Sequence, residues 1–296
     1  MLGRVFVEKY YDYSREKDSF LCVGLDPAIA SMRKRFIVPE PLIREYGIPG
    51  GIKKFCIDII EAVAPFTPII KPNAQFLAYP LSFRDLCEIV DKIHEGNCLA
   101  LLDAKLSDIG SSNQAALYWI NEIGFDAVTF NPFQGYKDGT DAIYEWADRL
   151  NKGIFALCRM SNPGTHDYQS MIVDQEPLYV RLARDSFEKG ANGFVVGCTA
   201  THELEEVRNI IGEDRLILSP GMGPQGGDPA AAIRSGANKC GEGLIISSSR
   251  SINYACEIFG WGWDRFSEAA AKQAEIEKRR LNEYKLKIFK SKGSTH

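Results

Sequence analysis

The stretch CLALLDAKLSDIG, residues 98–110, joins a continuous apolar run to a cluster of charged residues. Residues 98–102 are apolar without alternation, which is typical of a strand that a parallel sheet buries on both faces. Because strand side chains alternate between faces, Asp103 and Lys105 are expected to point the same way, with Asp108 in the following loop. Taken alone, the spacing also fits a structural ion pair or a helix N-terminal signal. Its position at a buried strand end makes it a candidate active site.

Apolar runs of this kind recur eight times along the chain. They cover residues 19–25, 67–71, 98–103, 126–130, 153–158, 193–198, 215–219 and 243–247. Stretches between them carry apolar residues three and four positions apart, as amphipathic helices do: 83–94, 113–122, 141–150, 178–188, 202–211 and 229–235. This alternation predicts an α/β fold, a (β/α)8 TIM barrel with extra N- and C-terminal helices. An open doubly wound sheet is the structural alternative, but residues 23–27 lack its glycine-rich first turn.

The barrel is predicted to form a single domain over residues 1–296. Residues 268–290 predict an amphipathic helix appended to the barrel, with Leu281 and Leu286 among its apolar positions. Its basic run, residues 278–280, is interpreted as a solvated face. Residues 291–296 are expected to form a disordered tail.

Composition limits the classes of partner and the compartment. The chain has 296 residues, a formal net charge of -4 and a pI near 5.7, which argues against a nucleic acid or an anionic membrane as main partner. Its eight cysteines include no Cys-x-x-Cys pair, as expected in a reducing compartment. No apolar run approaches the ~20 residues that span a bilayer, and the N-terminus lacks a signal-peptide core. A cytoplasmic protein is therefore expected.

Polar residues follow most of the predicted strands, where a TIM barrel places its chemistry. Asp26 follows the first strand, and the second strand ends at Lys71, with Asn73 two positions later. The glycine-rich loop 219–228 after the seventh strand can aim backbone N–H groups at an anion. Arg250 after the eighth strand can bind a phosphate with two hydrogen bonds. The last two loops together predict a phosphate site.

The Asp103-Ala-Lys105-x-x-Asp108-Ile-Gly motif, with Lys71 upstream and the Pro220-Gly221 and Arg250 loops downstream, resembles the orotidine 5'-phosphate decarboxylase family. The resemblance runs from about residue 20 to residue 252, and the segment NPFQG at 131–135 is similar to the longer bacterial-type branch. Two places depart from the family pattern. Leu106-Ser107 stands where many relatives carry Arg-Gly, and Ser249 stands where a glycine often precedes the arginine.

The resemblance implies a cofactor-independent and metal-free homodimer that converts orotidine 5'-phosphate to UMP, with active sites shared between subunits. It assigns the catalytic network to Lys71, Asp103, Lys105 and Asp108, of which Asp108 reaches the neighbouring subunit's site. It also implies the residues that bind substrate: Asp26 and Asn73 near the ribose, Ser112 from the adjoining subunit, Ser161 on the pyrimidine, and Gln225 and Arg250 on the phosphate.

The implied decarboxylation would leave negative charge on C6 of the pyrimidine. A fixed Lys105 ammonium is expected to stabilise that charge and then to protonate C6. Residues 162–175 are a candidate lid. The nearest alternative is a Mg²⁺-dependent sugar-phosphate decarboxylase or isomerase on a similar barrel. A Schiff-base aldolase is disfavoured, because neighbouring acids keep a lysine protonated. A catalytically inactive nucleotide-binding protein is the alternative from a different class.

Overall fold

The computed structural model describes residues 3–222 and 226–290. Eight parallel strands close into a barrel in the order β1-β8-β7-β6-β5-β4-β3-β2, which confirms the predicted fold. The strands are β1 Leu21–Leu25, β2 Ile69–Pro72, β3 Leu99–Leu106, β4 Ala127–Phe130, β5 Gly153–Arg159, β6 Gly193–Val196, β7 Leu216–Pro220 and β8 Leu244–Ser248. Most of their residues are buried on both faces, as the apolar runs predicted.

The helices surround the barrel and close one of its ends. They are α1 Arg4–Glu16, α2 Glu40–Val63, α3 Ala74–Leu77, α4 Phe83–Glu95, α5 Gly110–Ile123, α6 Asp141–Leu150, α7 Leu178–Glu188, α8 Thr201–Ile211, α9 Pro229–Gly236, α10 Arg250–Asn253, α11 Ala255–Phe259 and α12 Phe266–Lys290. The helical periodicity did not predict α2, because Gly47 and Pro49 interrupt it. Gly47 has φ 72° and kinks the helix there. Among the described residues, no helix is both long enough and apolar enough to cross a membrane.

Helix α1 closes the barrel at the amino ends of the strands. Phe6, Val7 and Tyr10 are buried against the interior side chains of the barrel. The edge of the Phe6 ring meets the Phe155 ring with centroids 5.9 Å apart, a favoured aromatic geometry. Since this end is filled with apolar side chains, the carboxyl ends of the strands are left as the open face.

The C-terminal helix α12 packs against α2 through small side chains. Ala269, Ala270 and Ala274 are fully buried, and the Phe266 ring stacks on Phe55 with centroids 5.0 Å apart. Leu286, in contrast, is half exposed. The contact between α12 and α2 therefore lies along the alanine face of α12. Residues 291–296, predicted to be a disordered tail, lie outside the described part of the chain.

Candidate active site

A cavity of about 420 Å³ opens at the carboxyl ends of the barrel strands. Its charged lining consists of Asp26, Arg33, Lys71, Asp103, Lys105 and Arg250. A larger cavity of about 640 Å³ lies between α5 and α6, but none of the strand-end residues lines it. The convergence of acids and bases, not the volume, identifies the smaller cavity as the candidate active site.

Asp103 is the centre of a charged network on the cavity floor. Lys71 Nζ donates a hydrogen bond to Asp103 Oδ2 at 2.8 Å, and Lys105 Nζ donates to Oδ1 at 2.6 Å. Thr129, at the end of β4, donates its hydroxyl to the same Oδ1 at 3.0 Å. Lys71 is only 6% exposed, so the network is largely shielded from water. Both carboxylate oxygens are thus engaged, and the Lys105 ammonium is held at the cavity.

The backbone of β3 is distorted where it presents Lys105. The register of β3 against β4 shifts between Leu102 and Leu106, and Lys105 has φ 52°, a conformation uncommon for a residue other than glycine. Lys105 N donates to Thr129 Oγ1 at 3.0 Å, which fixes this irregular segment. Such strain costs about 1–3 kcal/mol and is found at functional sites. Simple alternation predicted the direction of the side chain but not the bulge that produces it.

Ion pairing keeps the network charged despite burial. Burial alone would lower the pKa of Lys71, but the carboxylates of Asp103 and Asp26 outweigh it and raise that pKa above the usual lysine range. Burial alone would raise the pKa of Asp103, but Lys71 and Lys105 hold it well below the usual aspartate range. At neutral pH this pair is therefore a fully ionised one.

Because these two pKa values shift in opposite directions, we expect the turnover rate near neutral pH not to depend on the protonation of Asp103 or Lys71. Asp103 loses its proton below, and Lys71 above, the ordinary ranges of their residue types. We therefore expect kcat to be flat from about pH 5 to about pH 9, since unperturbed aspartate and lysine titrate outside that interval. Steady-state rates at saturating substrate check this. A step in kcat inside the interval would contradict the ionised network.

Asp26 and Asn73 form a second polar pair on the cavity wall. Asn73 Nδ2 donates to Asp26 Oδ1 at 2.9 Å, and Asn73 N donates to Leu25 O at 3.1 Å. Asn73 Oδ1 also accepts from Gln75 N at 3.1 Å, which caps α3. The side chain of Asn73 is therefore fixed, and the second oxygen of Asp26 can accept a hydrogen bond from a ligand hydroxyl.

The structure does not bring Asp108 and Ser112 into the cavity of their own chain. Both are exposed, at the start of α5, and Asp108 Oδ1 accepts from Ile109 N at 2.7 Å. Neither residue lines the cavity that holds Lys105. Of the expected four-residue network, the described residues of a single chain therefore bring together three: Lys71, Asp103 and Lys105.

Ser161 lines the cavity next to Gly197. A Cβ atom on Gly197 would come within 2.8 Å of Ser161 Cα, so the close approach requires glycine.

Arg159, the last residue of β5, contacts the segment predicted as a lid. It is buried, with Nε 3.4 Å from Glu203 Oε1 and Nη2 3.3 Å from His166 Nε2. These contacts tie the segment predicted as a lid to the barrel. That segment contains a short 3₁₀ turn, Pro163–Asp167, and the first strand of a hairpin formed by Ile172–Val173 and Glu176–Pro177.

The opposite side of the cavity is formed by the loops after β7 and β8. Pro220, Gly221 and Met222 line it from one loop, and Ser249 and Arg250 from the other. Gln225, predicted to bind phosphate, lies outside the described residues.

The departures from the family pattern are accommodated locally. Ser249 has φ -120°, which does not require glycine. A Cβ atom on Gly24 would overlap Ser249 Oγ, so the missing side chain of Gly24 makes room for the serine. Leu106 packs on the hydrophobic core and Ser107 is exposed. Neither Leu106 nor Ser107 lines the cavity.

Sequence reasoning did not assign several of the cavity residues, among them Arg33, Phe76, Thr129 and Met160. Thr129 follows the same rule as the assigned residues, because it lies near the carboxyl end of a predicted strand. Arg33 lies in an irregular loop whose sequence carries no periodic signal. Only the closed barrel shows that this loop reaches the cavity.

Comparison with known proteins places these features in a family. The model of the orotidine 5'-phosphate decarboxylase / HUMPS family matches residues 19–257. Proteins named orotidine 5'-phosphate decarboxylase from Azoarcus sp. and Cupriavidus metallidurans are 39% and 36% identical to this chain. The first covers 92% of this chain and 96% of its own, the second 84% and 89%.

A crystal structure of the Toxoplasma gondii orotidine-monophosphate-decarboxylase homologue has a TM-score of 0.80 and 30% identity, and the match covers 96% of this chain and 98% of that one. The curated relatives confirm the expected enzyme class, a carboxy-lyase. The chain therefore belongs to the orotidine 5'-phosphate decarboxylase / HUMPS family.

Proposed function

We propose that this chain converts orotidine 5'-phosphate to UMP and CO2, in de novo pyrimidine biosynthesis in the cytoplasm, with Lys105 as the central catalytic group. The observation that carries the proposal is the Lys105 ammonium, held 2.6 Å from Asp103 Oδ1 at a strand-end cavity. The names of these curated relatives support the choice of substrate.

The reaction breaks the bond between C6 and the carboxylate carbon, and CO2 leaves without the bonding electrons. The electron pair remains on C6, where the ring offers no adjacent electron sink. A fixed ammonium beside C6 stabilises that charge with little reorganisation, since its position is set before the reaction. Lys105 Nζ then donates a proton to C6, which completes UMP.

Asp103 and Lys71 position the reacting ammonium. Asp103 holds Lys105 through Oδ1, and Lys71 neutralises the same carboxylate through Oδ2. Without Lys71, the Asp103 carboxylate and the substrate carboxylate would share one ammonium, that of Lys105. One negative charge in the site would then be unbalanced. The alternation of signs holds the Lys105 ammonium at the cavity.

The network favours this proposal over its enzymatic alternatives. Both oxygens of Asp103 already accept hydrogen bonds from ammonium groups, so this carboxylate is poorly placed to ligate Mg²⁺. A Schiff base needs a neutral amine, whereas the carboxylates around Lys71 raise its pKa. Incubation with a carbonyl substrate and borohydride tests the aldolase directly, because a Schiff base would leave a stable covalent adduct.

The proposed function is tested by UMP formation from orotidine 5'-phosphate, with and without EDTA. We expect UMP and CO2 in equal amounts at a rate that EDTA does not change. Loss of activity with EDTA and its return with Mg²⁺ would favour the metal-dependent alternative. Absence of turnover with retained UMP binding would favour a nucleotide-binding protein without activity.

We also infer that the chain works as a homodimer with shared active sites. The loops after β2, β3 and β4 neighbour one another in the barrel and expose large apolar side chains: Tyr79 is 86%, Ile109 61% and Phe133 72% exposed. Asp108 and Ser112 are exposed close to Ile109 in sequence and do not line their own cavity. An apolar surface next to unused polar site residues is suited to a second copy of the chain.

Mixing Asp108→Ala and Lys105→Ala subunits is expected to restore activity. In the mixed dimer, the Asp108→Ala subunit keeps Lys105 and receives an intact Asp108 from its partner, so roughly half of the sites are complete. Two affinity tags isolate the mixed dimer for a rate measurement. Each variant alone is the control, and no recovery in the isolated mixed dimer would contradict site sharing.

A further inference from the structure

The loop after β1 contributes a cation to the cavity that neither the motifs nor the mechanism uses. Strand β1 pairs with β8, with Cys22 opposite Ser247 and Val23 opposite Ser248. The loop that leaves β1 therefore emerges beside the loop that carries Arg250. Arg33 lies in this loop and lines the same cavity as Arg250.

Arg33 is held in place by contacts with the β8 side of the cavity. Its Nη2 donates to the Tyr254 hydroxyl at 2.8 Å, and its Nε donates to Arg35 O at 2.8 Å. The guanidinium also lies 5.2 Å from the centre of the Phe76 ring. Tyr254 N in turn donates to Arg250 O at 2.9 Å. The anchoring tyrosine thus lies one helical turn from Arg250.

The charge of Arg33 is not balanced by a carboxylate among the described residues. Arg35, two positions later, forms an ion pair with Glu257 at 2.6 Å and does not line the cavity. Two of the five N–H groups of the Arg33 guanidinium donate to Tyr254 and Arg35 O, which leaves three available to a ligand. Arg33 is therefore a positioned guanidinium with unused donors.

The total charge of the cavity lining indicates which ligand group Arg33 suits. Lys71 and Lys105 balance Asp26 and Asp103, so Arg33 and Arg250 remain as two unbalanced positive charges in the described lining. A phosphate monoester carries a charge of about -1.5 to -2 at neutral pH. One arginine neutralises only part of that charge, whereas two match it.

We propose that Arg33 is a second phosphate-binding residue, which contacts the substrate phosphate from the β1 loop while Arg250 contacts it from the β8 loop. This inference rests on the proposed function, because it assigns the phosphate of that substrate. Guanidinium groups suit the role, since their planar donors match phosphate oxygens. Phe76 and Tyr254 hold the guanidinium in place without competing for its charge.

Replacement of Arg33 by glutamine tests the proposal, with Lys34→Gln as the control at the neighbouring position. We expect Arg33→Gln to raise KM for orotidine 5'-phosphate and Kd for UMP by on the order of 10-fold to 100-fold, as for a lost hydrogen bond to a charged group. Binding of uridine, which lacks the phosphate, is expected to stay unchanged. Lys34→Gln, at an exposed position outside the cavity lining, is expected to bind all three ligands as the wild type does.

A purely structural role for Arg33 predicts a different pattern. If Arg33→Gln weakens uridine and UMP equally, the residue only supports the loop and the proposal is overturned. Unchanged UMP binding in Arg33→Gln, with weakened binding in Arg250→Gln, would also overturn it and leave the proposed function intact. A wild-type protein without decarboxylase activity would refute the proposed function, and the contrast between UMP and uridine would still decide the role of Arg33.

The variant Tyr254→Phe separates positioning from contact. It removes the hydroxyl that accepts from Arg33 Nη2 and keeps the ring under the guanidinium. We expect a smaller rise in KM for orotidine 5'-phosphate than in Arg33→Gln, with unchanged uridine binding. A Tyr254→Phe effect larger than that of Arg33→Gln would contradict direct contact between Arg33 and the phosphate.

Discussion

Replacement of Lys105 by alanine is expected to abolish decarboxylation while UMP binding stays measurable. The ammonium is asked both to stabilise the carbanion and to protonate it, and each contribution is typically at least about 100-fold. Together they predict a fall in kcat of about 10⁴-fold or more. Binding survives because the groups assigned to ribose and phosphate, Asp26, Asn73 and Arg250, are untouched.

The rate of Lys105→Ala should be measured with UMP affinity and thermal stability. Lys34→Ala is a suitable control, because Lys34 is an exposed lysine outside the cavity lining. The control is expected to retain wild-type kcat. If Lys105→Ala kept turnover within tenfold of the wild type, Lys105 would not be the catalytic group.

Replacement of Asp103 by asparagine is expected to remove activity and destabilise the fold together. The amide nitrogen of asparagine is a donor and cannot accept a hydrogen bond from an ammonium group. Asp103→Asn would therefore lose its contact with either Lys71 or Lys105. Breaking a buried ion pair from one side typically costs 3–5 kcal/mol, and we expect about that loss in the free energy of unfolding. The pKa of Lys71 should fall, since its burial persists while its main anionic partner disappears.

Urea unfolding of Asp103→Asn, beside steady-state rates, measures both effects. The matched control is Asp12→Asn, because Asp12 forms an exposed pair with Arg15 on α1. Exposed pairs contribute about 0–1 kcal/mol, so the control should be close to the wild type. Equal stability of the two variants, with activity retained in Asp103→Asn, would show that the network is incidental.

The sequence predicted the parts of the site that follow from the rule of strand ends. Lys71, Asp103 and Arg250 lie directly at or after buried apolar runs, and the eight runs were sufficient to predict a barrel. In such a fold, residues far apart in sequence meet because all strand carboxyl ends face one opening. The charge motif of β3 carried most of the functional information.

Other features depend on geometry that no local pattern encodes. The contact of Lys105 N with Thr129 lies in the segment where β3 bulges against β4, and α2 is kinked at Gly47 and resumes after it. Arg33 enters the cavity because closure of the barrel brings the β1 loop next to β8. Asp108 and Ser112 do not line the cavity of their own chain, so the structure of a single chain does not test the role predicted for them.

Hydrogen exchange at C6 of UMP in D2O tests the central claim most directly, because it forms the same carbanion without decarboxylation. If Lys105 stabilises that carbanion and transfers the proton, the wild-type protein will replace the C6 hydrogen with deuterium, and NMR will show the C6–H signal of UMP decay. Lys105→Ala, at concentrations that saturate it with UMP, is predicted to show no decay above the background rate. Equal exchange by wild type and variant would contradict the account.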